Sequence, residues 1–145
     1  MKVLGIDIGT VNLGFAVVEN RNLIFSTTIK LNSKDSLGVR LNELETLFCS
    51  YLQEHDVEGV IIERPTIRQT DLYYPCGLFC YLSCRENVEY QEVNPVSVKK
   101  LIAGTGKATK KELEEAMRHM VDNPPKKFKS DHESDSVAIA LCWRK

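Results

Sequence analysis

The chain has 145 residues, 43% hydrophobic and 27% charged, ordinary proportions for one sizeable core, so we expect a single domain over residues 1–145. A formal charge of −1 excludes a global basic footprint. No apolar run approaches the roughly 20 residues that span a bilayer, and the start KVLGIDIG lacks the pattern of a signal peptide. Cys49, Cys76, Cys80, Cys84 and Cys142 are odd in number, and neither the composition nor their spacing suggests a secreted disulfide framework. The expectation is a cytoplasmic chain in a reducing compartment with no membrane partner.

In chain order, residues 2–8 (KVLGIDI) and 14–18 (GFAVV) read as strands joined by a Gly-containing turn, and residues 22–31 (NLIFSTTIKL) as a third. Their short links predict antiparallel hairpins. Leu37, Leu41, Leu44, Phe48 and Tyr51 recur at steps of three and four, the period of a helix with one buried face over about 36–54. VEGVIIE at 57–63 is apolar and β-branched, like a strand covered on both faces. Pro75 suits the first turn of a second helix running to about Arg85, and VEYQEV at 88–93 reads as the fifth strand. Asn94 caps a short helix with Pro95 at its first position. Thr109 and Glu112 have the spacing of a capping box that opens a helix over roughly 110–121, stopped by Asn123, Pro124 and Pro125. A last helix begins in SDHESD, capped by Ser130 or Asp131. This order predicts an α/β fold, a five-stranded mixed sheet flanked by helices, with the strands at 2–8, 57–63 and 88–93 parallel.

Two carboxylates stand where packing alone does not put them. Asp7 lies in an otherwise apolar strand and Glu63 ends the run GVIIE; an unpartnered charge in either place costs several kcal/mol. Alone, Asp7 could cap the Gly9-Thr10 turn and Glu63 could pair with Arg64 or a lysine. A third acid, Asp135, heads an apolar stripe with Ile139 and Cys142 on the last helix. At about 100° per residue, Asp131 and His132 fall within about 60° of it, while Glu133 points nearly opposite. Three carboxylates in one cleft repel each other unless a cation compensates them. Magnesium does so with oxygen ligands, and two ions roughly 4 Å apart suit phosphodiester hydrolysis. Imidazole is a better manganese ligand than a magnesium one, so His132 either holds the second ion weakly, with manganese able to substitute, or orients the water.

Taken together, GIDIGTVNLGFAVV, IIERP, VKKLIAGTGKATKKE and DHESDSVAIAL resemble the RuvC family of Holliday junction resolvases, in family order from Val3 to Leu141. The resemblance implies a ribonuclease H-like fold, a homodimer and magnesium-dependent nicking of four-way junction DNA in recombination and repair. It implies a catalytic, metal-binding quartet of Asp7, Glu63, His132 and Asp135, and it matches the family's important lysines to Lys99 and Lys110. One departure follows the glutamate: where the family carries an aromatic that probes the junction centre, this chain has Arg64, Pro65 and Thr66, leaving that role to Tyr73 or Tyr74 or to no residue. The chain is shorter than typical bacterial members, a hint of phage, viral or mobile-element origin.

Further DNA contacts are expected from the Gly104–Thr109 loop and the helix after it, through Lys107, Lys110 and Lys111, and from Tyr73 and Tyr74 stacking on bases. Solvated lysines and packed tyrosines are the plain alternatives. The helix near 75–86 is the expected dimer contact, since Cys76, Cys80 and Cys84 form one stripe and Leu78, Tyr81 and Leu82 a second apolar face. Zinc on the three cysteines lacks an obvious fourth ligand. Rival functions are a nuclease of the same fold acting on other branched DNA or RNA:DNA hybrids, a silent junction binder, and an actin-like ATPase suggested by DIGT, which needs a second lobe.

Overall fold

The computed structural model describes every residue, Met1–Lys145. Strands β1 (Lys2–Asp7), β2 (Asn12–Glu19) and β3 (Asn22–Lys30) form the antiparallel meander, and β4 (Gly59–Glu63) and β5 (Glu89–Val93) add parallel to β1, giving the order β3-β2-β1-β4-β5. The helices are α1 (Leu37–Glu54), α2 (Tyr73–Arg85), α3 (Pro95–Ala103), α4 (Lys110–Met120) and α5 (Asp131–Ala140). This is the expected mixed five-stranded sheet with its three parallel strands. No helix is long and apolar enough to cross a membrane.

Alternation along β1, β2 and β4 sends side chains to both faces, and each face builds its own core. Leu4, Ile6, Phe15, Val60 and Ile62 meet Phe48 of α1 and Phe79 of α2 on one side. Val3, Ala16, Val18 and Ile61 meet α3, α4 and α5 on the other. Helix starts follow local chemistry: the side chains of Ser36, Asn94, Thr109 and Ser130 accept from the backbone N–H groups of Val39, Ser97, Glu112 and Glu133. Thr109 and Glu112 complete the reciprocal box, and Gly104 closes α3 at φ 83°, a left-handed conformation that glycine adopts freely.

Two expectations need correction. The second helix has Pro75 in its first turn as expected, where no helical N–H is lost, but it spans Tyr73–Arg85 rather than 75–86, because a 3₁₀ turn at Thr70–Leu72 runs straight into it. The cysteines of α2 do not share an environment. Cys76 is buried, whereas Cys80 and Cys84 are exposed, and Leu82 is in the core with Phe79 while Tyr81 faces outward.

Candidate active site

Beyond the β1–β4 pair Ile6↔Ile62, the parallel register brings Asp7 and Glu63 to neighbouring strand ends. Asp7 shares the face of Val3, and Glu63 that of Ile61, so both carboxylates point toward α5. That helix lies against the sheet because the sheet offers it glycines. A Cβ at Gly5 would collide with the Ser136 carbonyl and Ala140, and one at Gly14 with the His132 carbonyl. The close approach sets His132 Nδ1 2.8 Å from Asp7 Oδ2, which accepts its hydrogen bond. Asp135, three residues on, faces the same space. A cleft of about 320 Å³ results, lined by Asp7, Glu63, His132 and Asp135, with Lys99 from α3 and Lys110 from α4.

The acids do not take the simpler roles open to them. Asp7 bonds His132 at 2.8 Å instead of the Gly9-Thr10 turn, and Arg64 pairs with Glu92 at 3.0 Å rather than with Glu63. The acids instead perturb each other. Burial, with the charges of Asp7 and Asp135 added, pushes the Glu63 carboxyl up to about 7, against the pull of Lys99 and Lys110. Burial and then Asp7 push Asp135 up to about 6. Asp7 is raised by burial, opposed by the His132 hydrogen bond and charge and by Lys110. Burial and mutual repulsion therefore make all three acids ionise less readily than isolated carboxylates, despite the lysines beside them.

The donor chemistry fits a hard divalent cation: three carboxylates with one imidazole at the edge. No three His, Cys, Asp or Glu side chains stand as ready ligands around one point, so these groups line an open cleft rather than a closed chelate. The same holds for Cys76, Cys80 and Cys84.

Of the other residues singled out from sequence, Lys107 and Lys111 are exposed outside this cleft. Tyr73 and Tyr74, 48% and 58% exposed, lie at the start of α2; Tyr73 donates weakly to the Pro65 carbonyl, and Tyr74 borders a shallow hollow with Thr10 and Arg40. Glu133 does point away from Asp135, but into the protein, 4% exposed, accepting the Lys129 N–H at 3.3 Å. The structure adds Gln69 to the cleft wall. Its Oε1 accepts from the Thr66 N–H at 2.9 Å while its own N–H returns to the Thr66 carbonyl at 3.0 Å, which leaves the amide NH₂ as its free donor. Its place in an irregular loop gave no periodic signal.

The pattern of the family described as Crossover junction endodeoxyribonuclease RuvC matches residues 3–143. The protein of that name from Rickettsia typhi is 33% identical over 149 residues, covering 97% of this chain and 94% of the relative. Its counterpart from Rickettsia prowazekii is 31% identical with the same coverage. The structure of Thermus thermophilus RuvC in complex with a Holliday junction substrate superposes with a TM-score of 0.87 at 26% identity, over 98% of this chain and 92% of that one. An almost end-to-end match in sequence and in fold makes this chain a member of the crossover junction endodeoxyribonuclease RuvC family.

Proposed function

We propose that residues 1–145 act as one nuclease domain that nicks four-way DNA junctions by metal-assisted phosphodiester hydrolysis. The family is one of metal-dependent nucleases acting on crossover junctions. The observation that carries the proposal to this chain is the convergence of Asp7, Glu63, Asp135 and His132 with two lysines in a single cleft.

Asp7, Glu63 and Asp135 would hold two Mg²⁺ ions, with His132 offering a nitrogen that also suits Mn²⁺. The chemistry supplied on binding is activation of a water on one side of the phosphodiester and charge compensation of the leaving oxygen on the other. Asp7 orients the imidazole through Nδ1, which leaves Nε2 free to ligate or to take a proton from water. Lys99 and Lys110, already facing the acids, hold phosphate oxygens that would otherwise be repelled by them. The free amide donor of Gln69 adds a neutral contact at the cleft wall.

A homodimer paired through α2 suits a substrate with symmetric strands. Tyr73, Tyr74 and Tyr81, between 48% and 61% exposed, give that helix an outward aromatic surface. Light scattering under reducing conditions checks it: a monomer at micromolar concentration, with and without junction DNA, would remove the dimer from the proposal.

The deciding experiment offers the purified protein a four-way junction, a linear duplex, a fork and an RNA:DNA hybrid, each with Mg²⁺ or EDTA. Metal-dependent cutting selective for the junction is expected. Equal cutting of all four would replace the junction reading by a general nuclease of the same fold.

A further inference from the structure

The loop between α4 and α5 lies outside the cleft and carries Lys126, Lys127 and Lys129, all exposed. Exposed lysines are commonly solvated ends of mobile segments, but this backbone is held at three places. At its start, the Asn123 side chain pairs with both the N–H and the carbonyl of Leu23 on β3, at 2.9 and 3.0 Å. In the middle, Phe128 is buried beneath Arg118, whose guanidinium lies 4.9 Å from the ring centroid and donates to the carbonyls of Pro125 and Lys126. At the end, Glu133 accepts the Lys129 N–H, and the Ser130 hydroxyl meets that of Thr28 at 2.6 Å.

The three lysines rim a groove of about 520 Å³ whose other charged groups are Arg118, Glu114 and Asp131. Glu114 is answered by Arg118 at 3.7 Å, and Asp131 opens α5 where the helix dipole favours a negative charge. The lysines remain unpaired, a preorganised cationic surface that fits a polyanion of regular spacing. Along α4, Arg118 follows Lys110 of the cleft by about 12 Å at a rise of ~1.5 Å per residue. The groove and the cleft are therefore separate sites joined by one helix, close enough for a single duplex to reach both.

We infer that Lys126, Lys127 and Lys129 form a second, sequence-independent site for the phosphate backbone of a duplex arm flanking the cut. This rests on the DNA-cutting reading above, and the test separates the two. Binding is measured in EDTA against salt concentration, on a four-way junction and on a linear duplex, for wild type and for the variant K126Q/K127Q/K129Q. A second variant, K2Q/K145Q, lowers net charge at the opposite end of β1. Circular dichroism checks that both remain folded. The triple variant should flatten the slope of log affinity against log salt by about two to three units on both substrates, at ~0.9 per phosphate contact, and the control by less than about one. An unchanged slope in the triple variant, or an equal loss per charge in the control, overturns the inference. Junction cutting in Mg²⁺ by the wild type, scored separately, bears only on the nuclease reading.

Discussion

Toward α1 and α2 the sheet is lined by rings, with Phe15 and Phe48 packing on Phe79 at centroid distances of 6.1 and 5.2 Å and Tyr51 on Phe15 at 5.2 Å. Toward α5 it presents Gly5 and Gly14, and the helix answers with its His132 and Ser136 carbonyls and the small side chain of Ala140. The first face gains stability from volume. The second gives up volume so that two backbones approach, and that approach brings His132 and Asp135 over Asp7 and Glu63. A site for charge is therefore built where the sheet is most thinly dressed, and substitutions on the two faces should fail differently.

Phe79→Ala should have the largest effect on stability, about 3–5 kcal/mol for a fully buried ring, while protein that stays folded keeps its Mn²⁺ affinity. Denaturant melts with metal titration measure both; loss of metal affinity in the folded fraction would mean the faces are not separable. Gly5→Ala should show the opposite balance. It costs about 1–3 kcal/mol of overpacking but lifts α5 off the sheet, so junction cutting should fall about 100-fold, as expected for displacement of reacting groups by about 1 Å. Cutting near the wild-type rate would show that the site tolerates a displaced helix.

The raised carboxyl groups of the cleft are open to a pH test. The Glu63 carboxyl titrates near 7 in the fold against an ordinary 4.5, so folding favours its protonated form. Its stabilising contribution is full below about pH 4.5 and is lost as pH rises through about 7. Glu63→Gln should therefore stabilise the metal-free protein at pH 8 by on the order of 2 kcal/mol, discounted for partial exposure, and add little at pH 4. Urea melts in EDTA at the two pH values decide it; destabilisation at pH 8 would show that the carboxylate is already compensated by Lys99 and Lys110. The smallest effect is expected from His132→Asp. An oxygen donor replaces a nitrogen, so the variant stays active and shifts its preference from manganese toward magnesium. A dead enzyme would assign the imidazole to proton transfer instead.

Much of this arrangement was legible before any coordinates. Asp7 and Glu63 declared themselves as charges in apolar strands, and three helix starts, at Asn94, Thr109 and Ser130, were readable because caps act within three residues of sequence. What stayed hidden depends on contacts through space. Gly5 and Gly14 look like ordinary strand glycines until α5 is laid on them. The start of α2 was displaced because Tyr73 and Tyr74 carry no boundary signal, whereas Pro75 does and is equally at home inside a first turn. Gln69 lies in an irregular segment and is aimed by the turn it closes with Thr66, and the lysines at 126, 127 and 129, countable in sequence, take a fixed direction only because Phe128 is held beneath Arg118.

Nicking of a four-way junction by the Asp7→Asn protein in Mg²⁺, with binding measured in parallel, is the most direct test of the site. The variant keeps the shape of the side chain and relieves repulsion with Glu63 and Asp135, but removes one anionic oxygen ligand. Junction binding at wild-type affinity with nicking below about one per cent is the expected result. Nicking within about tenfold of wild type would contradict it, and would place the chemistry away from the cleft that β1, β4 and α5 create.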